Sequence, residues 1–203
     1  MLAIAGGQGG MGMTVTISRL YDDASVAQAA IARLQEAGVR DDDISLLANN
    51  SEKWFAPDLA SAAGKGAAVG AGFGGVGGLL AGLGLLVVPG LGPVVAVGWL
   101  AAALTCAAAV GAAGGIVGML AEAGVATNEA EIYAESIRRG GSLVSARVPE
   151  PDKARLEALL DPSSVDISQR RTEWQSSGWA AFDPAAPGPT DEEIARRREQ
   201  PAG

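Results

Sequence analysis

Few residues of this chain have the types and spacing that catalysis or cofactor binding requires. The segment GAGFGG at 70–75 matches the GxGxxG pattern of dinucleotide-binding loops. In such loops a strand precedes the glycines and an acidic residue follows about 20 positions later. Here small residues precede the glycines and the next acidic residue is Glu122. The segment AAGKG around Lys65 lacks the first glycine and the final Ser or Thr of a phosphate-binding loop. We therefore predict no cofactor.

The titratable side chains also favour structural roles. The chain has no histidine and one cysteine, Cys106, within an apolar stretch. This composition excludes imidazole catalysis, Cys/His metal centres and an intrachain disulfide. Asp41 to Asp43 could attract a divalent cation, but a solvated turn is the more frequent role of such a cluster. A second acidic group is predicted to lie on an exposed helix face. It comprises Glu129, Glu131 and Glu135. The sequence predicts no catalytic residue, no metal ligand and no enzyme.

Charge excludes one class of partner. The formal net charge is -8 and the pI is about 4.6. Proteins that bind nucleic acids need clustered Lys and Arg to neutralise phosphates. We therefore predict no nucleic-acid partner.

The most unusual segment is a run of 56 uncharged residues between Lys65 and Glu122. The sequence PGLGP at 89–93 interrupts the run and predicts a tight connection between two helices, because prolines end helices well. At about 1.5 Å per residue, helices over 66–88 and 94–121 would be about 35 Å and about 42 Å long. Both lengths exceed the hydrocarbon core of a bilayer, which is about 30 Å thick.

Small residues recur at every fourth position of both predicted helices. Glycine costs roughly 1 kcal/mol per helical position relative to Ala, so these residues need a compensating contact. Their missing side chains let helix backbones approach closely, as in a glycine zipper. We predict an antiparallel, close-packed hairpin in a bilayer, or alternatively a hairpin buried inside a soluble homo-oligomer. The predicted helix-packing residues are Gly66, Gly70, Gly74, Gly78, Gly82, Ala103, Ala107, Gly111 and Gly115.

Two similar units flank this run. In the first, TVTISRLY alternates like a strand, an amphipathic helix follows from Ser25 to Ala37, and ISLLA forms a second strand. After the run, a helix starting near Thr127 precedes a second unit. That unit comprises SLVSARV as a strand, EPDKARLEALLD as a helix and SVDISQRR at 164–171 as a strand.

These units predict an α+β fold: a duplicated βαβ, ferredoxin-like domain with helices on one face and an inserted glycine-rich antiparallel helical hairpin. In the C-terminal tail, Thr190 and Glu193 form a capping box, and Trp174, Trp179 and Phe182 are expected to dock on the chain's own domain. The predicted divisions are a flexible leader without a signal peptide (1–13), the first βαβ half (14–50), a linker (51–63), the hairpin (64–122), a helix plus the second βαβ half (123–174) and a disordered acidic, proline-rich tail (175–203).

The whole arrangement resembles the bacterial general stress protein family, whose members include heat-induced and low-temperature-induced stress proteins. The resemblance covers about residues 13–170, and its most specific pieces are LYDD, DDIS, EAEIYAESIRRGG and LVSARV. It implies stress-linked expression and assigns no catalytic residue. We therefore expect a non-enzymatic, self-associating stress protein in the cytoplasmic membrane, its partner the lipid bilayer and its soluble domain facing the cytoplasm. The alternatives are a cytoplasmic homo-oligomeric scaffold and a ligand-binding regulatory domain.

Overall fold

The computed structural model describes residues 13–50, 84–88, 91–103, 115–186, 189–190, 192–194 and 196. Within them, an antiparallel sheet is packed with several helices, which agrees with the predicted α+β class. Residues 99–103 are also helical. The elements are β1 (Thr14–Tyr21), α1 (Ala24–Glu36), β2 (Ile44–Asn49), β3 (Gly84–Val88), β4 (Gly92–Val97), α2 (Gly115–Glu122), α3 (Thr127–Arg138), β5 (Ser142–Pro149), α4 (Lys153–Leu160) and α5 (Ile167–Ser176).

The first predicted strand–helix–strand unit is confirmed as β1, α1 and β2. The helix begins where an Oδ1 atom of Asp23 accepts hydrogen bonds from the backbone N–H groups of Ser25 at 2.6 Å and Val26 at 3.4 Å, as an N-cap does. Its apolar side, including Ile31 and Leu34, is fully buried. The helix ends at the predicted glycine, Gly38, whose φ of +90° lets the chain reverse.

The five strands form one antiparallel sheet in the order β1-β5-β2-β4-β3. β5 pairs with β1 along its whole length, from Thr14 opposite Pro149 to Tyr21 opposite Ser142. Its other edge pairs with β2. The chain before the glycine-rich run and the chain after it therefore meet in one sheet.

Helices cover both faces of this sheet, whereas the sequence analysis predicted helices on one face. α1 and α4 lie on the first face, over a core that includes Ile17 and Leu46. The opposite face presents Leu20, Leu47 and Leu143, which pack with α2 and α3. The prediction was wrong because β1, β2 and β5 carry large apolar side chains on both faces, and each face needs its own cover.

The predicted final strand at 164–171 is wrong, because these residues enter α5. An Oδ1 atom of Asp166 accepts hydrogen bonds from the N–H groups of Ser168 at 2.8 Å and Gln169 at 3.0 Å. This N-cap outweighs the short apolar alternation of Val165 and Ile167. The second unit is therefore strand, helix, helix, and the duplicated ferredoxin-like pattern lacks its last strand in the described part of the chain.

The predicted helical hairpin is wrong for residues 84–88 and 92–97, whereas residues 99–103 and 115–121 of the same region are helical. Residues 84–88 and 92–97 are β3 and β4, which pair across the PGLGP segment with Val88 opposite Gly92. Their sequences, GLLVV and GPVVAV, are rich in valine, which favours strands. At Gly98, with φ +77°, the chain leaves β4 for the helical residues 99–103. The region 94–121 is thus not one continuous helix.

Part of the predicted disordered tail packs on the domain. The Trp174 and Trp179 rings make an edge-to-face contact, with ring centroids 5.6 Å apart, and Ile194 is 1% exposed. The capping box is confirmed: Thr190 N–H donates to a carboxylate oxygen of Glu193 at 2.8 Å, and Glu193 N–H donates to Thr190 Oγ1 at 3.3 Å. The predicted linker at 51–63 lies outside the described residues, as does the leader up to residue 12.

Candidate functional site

The sequence-predicted packing residues are only partly within the described chain. Ala103 is the last described residue of the helical stretch 99–103 and packs against the core on the α2 and α3 side of the sheet. Gly115 is the first residue of α2. These two residues therefore lie on the domain itself. The others lie outside the described residues: Gly66, Gly70, Gly74, Gly78, Gly82, Ala107 and Gly111.

A cleft of about 370 Å³ lies where α1 and α5 begin. The guanidinium group of Arg170 closes one side by donating two hydrogen bonds to the carboxylate of Asp22, at 3.0 Å and 2.7 Å. Such a two-bonded pair holds both side chains in a fixed orientation. The other polar residues that line the cleft are Asp23, Ser163, Ser164, Asp166, Gln169 and Glu173.

The cleft is electronegative, because four carboxylates surround the single guanidinium group of Arg170. Two of these carboxylates, Asp23 and Asp166, already accept the backbone N–H groups of their own helices. Asp22 is committed to Arg170. The arrangement therefore suits a small cationic group better than an anion, and the capping bonds indicate that its main role is to hold α1 and α5 in place.

A second charged cluster lies between α3 and α5. Glu135 is fully buried and its carboxylate pairs with the guanidinium groups of Arg138 and Arg139. The guanidinium carbon of Arg139 lies 4.4 Å from the centre of the Trp174 ring, a cation–π contact. Arg138 makes a similar contact, at 5.6 Å, with Phe182. The cluster attaches the C-terminal segment to α3.

The sequence analysis missed the burial of Glu135 and assigned it to an exposed helix face. A signal was present in the spacing. Arg138 and Arg139 follow Glu135 by three and four residues, which is the spacing of side chains that meet on a helix.

A row of buried hydroxyl groups crosses the centre of the sheet. Ser145 stands opposite Ser18 on one side and Ser45 on the other. The Ser18 and Ser145 oxygens are 2.8 Å apart, and the backbone N–H of Leu100 donates to Ser45 Oγ at 3.1 Å. Each hydroxyl is therefore engaged with another serine or with the backbone, as buried polar groups require. The row helps to fix the register of β1, β5 and β2.

Both tyrosines are buried next to this sheet. The Tyr21 hydroxyl donates to the Leu160 carbonyl at 3.1 Å, and the Tyr133 hydroxyl donates to the Ser18 carbonyl at 3.4 Å. Burial raises the pKa of Tyr21 to about 12. Burial, reinforced by the charge of Glu129, raises the pKa of Tyr133 as well. Because burial disfavours the charged form, both hydroxyls keep their protons to a higher pH than an exposed tyrosine does.

The described residues add two further findings. None of the helices in this part of the chain has the length and apolar character that crossing a bilayer requires. Within the same ranges, no three carboxylate, thiol or imidazole side chains come together as a metal site.

Comparison with known protein families, with characterised proteins and with solved structures finds no match.

Proposed function

We propose that this protein is a non-enzymatic stress-response protein that assembles with copies of itself through the glycine row of residues 66–82. One observation carries this proposal. β5, which follows the glycine-rich run, lies between β1 and β2, which precede it. The parts of the domain before and after the run thus pair directly with each other, so they do not need residues 66–82 to hold them together. Such a domain can carry an assembly segment at these positions.

The pairing of several buried polar groups supports a role without catalysis. Ser18 pairs with Ser145, Glu135 with two arginines, and the tyrosine hydroxyls with backbone carbonyls. Catalysis needs a nucleophile or acid placed beside a base and open to a substrate. The polar groups named here stabilise the fold instead. The resemblance of LYDD, DDIS and LVSARV to bacterial general stress proteins supports the stress-response part of the proposal.

The fold itself supports a distant relation to ferredoxin-like domains. β1 and β2 point in the same direction with β5 inserted between them, and α1 connects the two. This split βαβ arrangement is the core of the ferredoxin-like fold. We propose that the domain derives from that fold and that α5 replaced its final strand.

The glycine row suits self-association for a physical reason. Glycine has no side chain, so two backbones can approach closely along such a row and gain dispersion contacts. The row comprises Gly66, Gly70, Gly74, Gly78 and Gly82. A second copy of the chain presents the same row, which makes a self-complementary contact possible.

Sedimentation analysis of the full chain tests this proposal. We expect an oligomer, and we expect the double replacement Gly74→Leu and Gly78→Leu to raise its dissociation constant at least about tenfold, because bulky side chains would separate the backbones. Val76→Leu, in the same segment but outside the glycine row, is the matched control and should leave the mass unchanged. A monomeric full chain, or an oligomer that tolerates both glycine replacements, would contradict the proposal.

Association with a lipid bilayer is the second candidate, and one observation favours it. The 18 residues from 66 to 83 carry no charge. As a helix they would be about 27 Å long, close to the hydrocarbon core of about 30 Å. The eight glycines among them oppose this candidate, because insertion is driven by larger apolar side chains. In either case we propose that the domain itself lies in the cytoplasm.

A further inference from the structure

The C-terminal segment that follows α5 packs on the domain through apolar side chains. We call this segment the C-terminal strap, and its described residues are 179–186, 189–190 and 192–194. Phe182 packs against the core on the α2 and α3 side of the sheet and contacts the guanidinium group of Arg138. Trp179 packs edge-to-face on Trp174 of α5, and Ile194 is buried. Three apolar side chains therefore hold the strap in place.

The backbone of the strap forms local hydrogen bonds. The Ala186 N–H donates to the Asp183 carbonyl at 3.2 Å, and the Ile194 N–H donates to the Thr190 carbonyl at 3.0 Å. The Asp183 carbonyl also accepts a bond from Arg138 Nη1 of α3, at 3.4 Å. These bonds extend neither the sheet nor a helix of the domain. The strap can therefore leave while the sheet and the helices keep their own backbone bonds, as in local unfolding.

One polar group of the strap is unsatisfied in the docked position. The indole N–H of Trp179 is buried and has no hydrogen-bond partner among the described residues. A buried donor without a partner costs free energy, which contact with water would recover. This cost lowers the free energy that is needed to release the strap.

Gly178 lies between α5 and the strap and provides a point at which the chain can change direction. It is exposed, its φ is +91°, and a Cβ atom there would meet no other part of the described chain within 4 Å. Glycine adopts positive and negative φ at similar cost. The backbone can therefore turn at Gly178 and direct the strap away from its own domain.

The surface beneath the strap is complementary to the strap in charge and in shape. From 179 to 194 the sequence has two aromatic residues, four carboxylates and no basic residue. The end of α3 presents the guanidinium groups of Arg138 and Arg139, and the first of them stacks on Phe182. A second copy of the chain has the identical strap and can make the same contacts. Exchange of an identical element is a low-cost route to a dimer for this reason.

We propose that the C-terminal strap is exchangeable: it leaves α3 of its own chain and binds α3 of a second copy. The surface has the same occupant in both states. In a dilute solution the short connection through Gly178 favours the chain's own strap, whereas a high protein concentration favours exchange. This contact between copies is separate from the glycine row and does not require it.

Photo-crosslinking in the full chain tests the exchange. Benzoylphenylalanine replaces Phe182, next to Arg138, in equal mixtures of unlabelled and heavy-isotope-labelled chains. Every sample carries Gly74→Leu and Gly78→Leu, so that copies joined through the glycine row do not contribute. After irradiation, peptide mass spectrometry distinguishes crosslinks within one isotope from crosslinks between the two. Benzoylphenylalanine at Gln175, exposed on α5 before the hinge, is the matched control.

We expect the probe at position 182 to crosslink to α3 peptides, with a mixed-isotope share that rises with protein concentration. Gly178→Val should raise the ratio of mixed to same-isotope crosslinks about tenfold at low concentration, because a residue with a side chain disfavours the positive φ of the closed chain. Ala180→Val, at an exposed position of the strap, should leave the ratio unchanged.

A second probe at Trp179 ensures that the test does not depend on one variant folding. Same-isotope crosslinks to α3 without mixed ones at every concentration would overturn the proposal. Mixed crosslinks that are as frequent from Gln175 as from position 182 would overturn it as well, since they would report copies that approach without exchange. Because the glycine row is disrupted in every sample, a failure of the proposed function would not be mistaken for a failure of this inference.

Discussion

At the scale of single residues, the clearest prediction concerns the two tyrosines, Tyr21 and Tyr133. A tyrosine in an unfolded chain ionises near pH 10, whereas burial raises the pKa of Tyr21 to about 12 and also raises that of Tyr133. Above pH 10 the unfolded chain therefore loses protons that the folded chain keeps. The contribution of these groups to stability is complete below pH 10 and falls as pH rises through 12, by up to about 1.4 kcal/mol per pH unit for each tyrosine.

Urea unfolding between pH 8.5 and 11.5 measures this dependence, and absorbance at 295 nm reports tyrosinate. We expect the native chain to show little tyrosinate at pH 10.5, while the chain in urea is more than half ionised. The Tyr21→Phe and Tyr133→Phe double variant should lose most of the stability change above pH 10. Native tyrosines that titrate near pH 10 would show that the hydroxyls are not buried as described.

Spacing in the sequence predicts which side chains meet on one helix. It does not predict which distant segments bury those side chains. Arg138 and Arg139 are correctly spaced to reach Glu135, and this is visible in the sequence. The complete burial of Glu135 is not visible there. The rings that contact its two arginine partners, Phe182 and Trp174, come from the C-terminal segment. Such a long-range contact leaves no periodic signal.

At the scale of elements, Gly98 sets the change of direction from β4 to the helical residues 99–103. Its φ is +77°, and a Cβ atom there would clash with the Ile44 carbonyl oxygen. Gly98→Ala should therefore reduce the free energy of unfolding by about 3 kcal/mol or more, from unfavourable backbone conformation and a clash with β2.

Gly38→Ala is the matched control for this prediction. Gly38 has a similar φ of +90° after α1, but a Cβ atom added there would meet no other part of the described chain within 4 Å. Its replacement should cost only about 1 kcal/mol, the conformational part alone. Urea unfolding of both variants measures the difference. Equal losses would mean that β4 does not approach Ile44 as closely as the structure indicates.

Helix caps and strand alternation explain which elements could be predicted. α1 has a capping Asp23, a regular apolar side and Gly38 at its end, so all its signals agree. At 164–171, the apolar alternation predicts a strand, whereas the capping residue Asp166 predicts the start of a helix. The structure has the helix. β3 and β4 were mistaken for helices because a continuous apolar run has no period, and a buried strand then looks like a buried helix.

At the scale of the whole molecule, the glycine-rich run contains segments with different roles. Residues 84–88 and 92–97 of the run supply two strands to the sheet, and Val94 to Val97 are buried there. Folding of the domain therefore accounts for the apolar character of this part without a bilayer. Pairing between β2 and β4, which are 45 residues apart at their closest aligned pair, Asn49 and Val94, could not be predicted from local pattern.

The earlier part of the run carries the central proposal, which is that residues 66–82 join copies of the chain instead of anchoring it in a lipid bilayer. The most direct measurement is alkaline-carbonate extraction of membranes from cells that express the untagged full chain. A chain lacking residues 66–83 is the control, since a larger deletion would also remove β3 and β4. We expect the full chain to be released into the supernatant as an oligomer. Retention of the full chain in the membrane pellet, with release of the deletion variant, would contradict this claim and establish a lipid anchor.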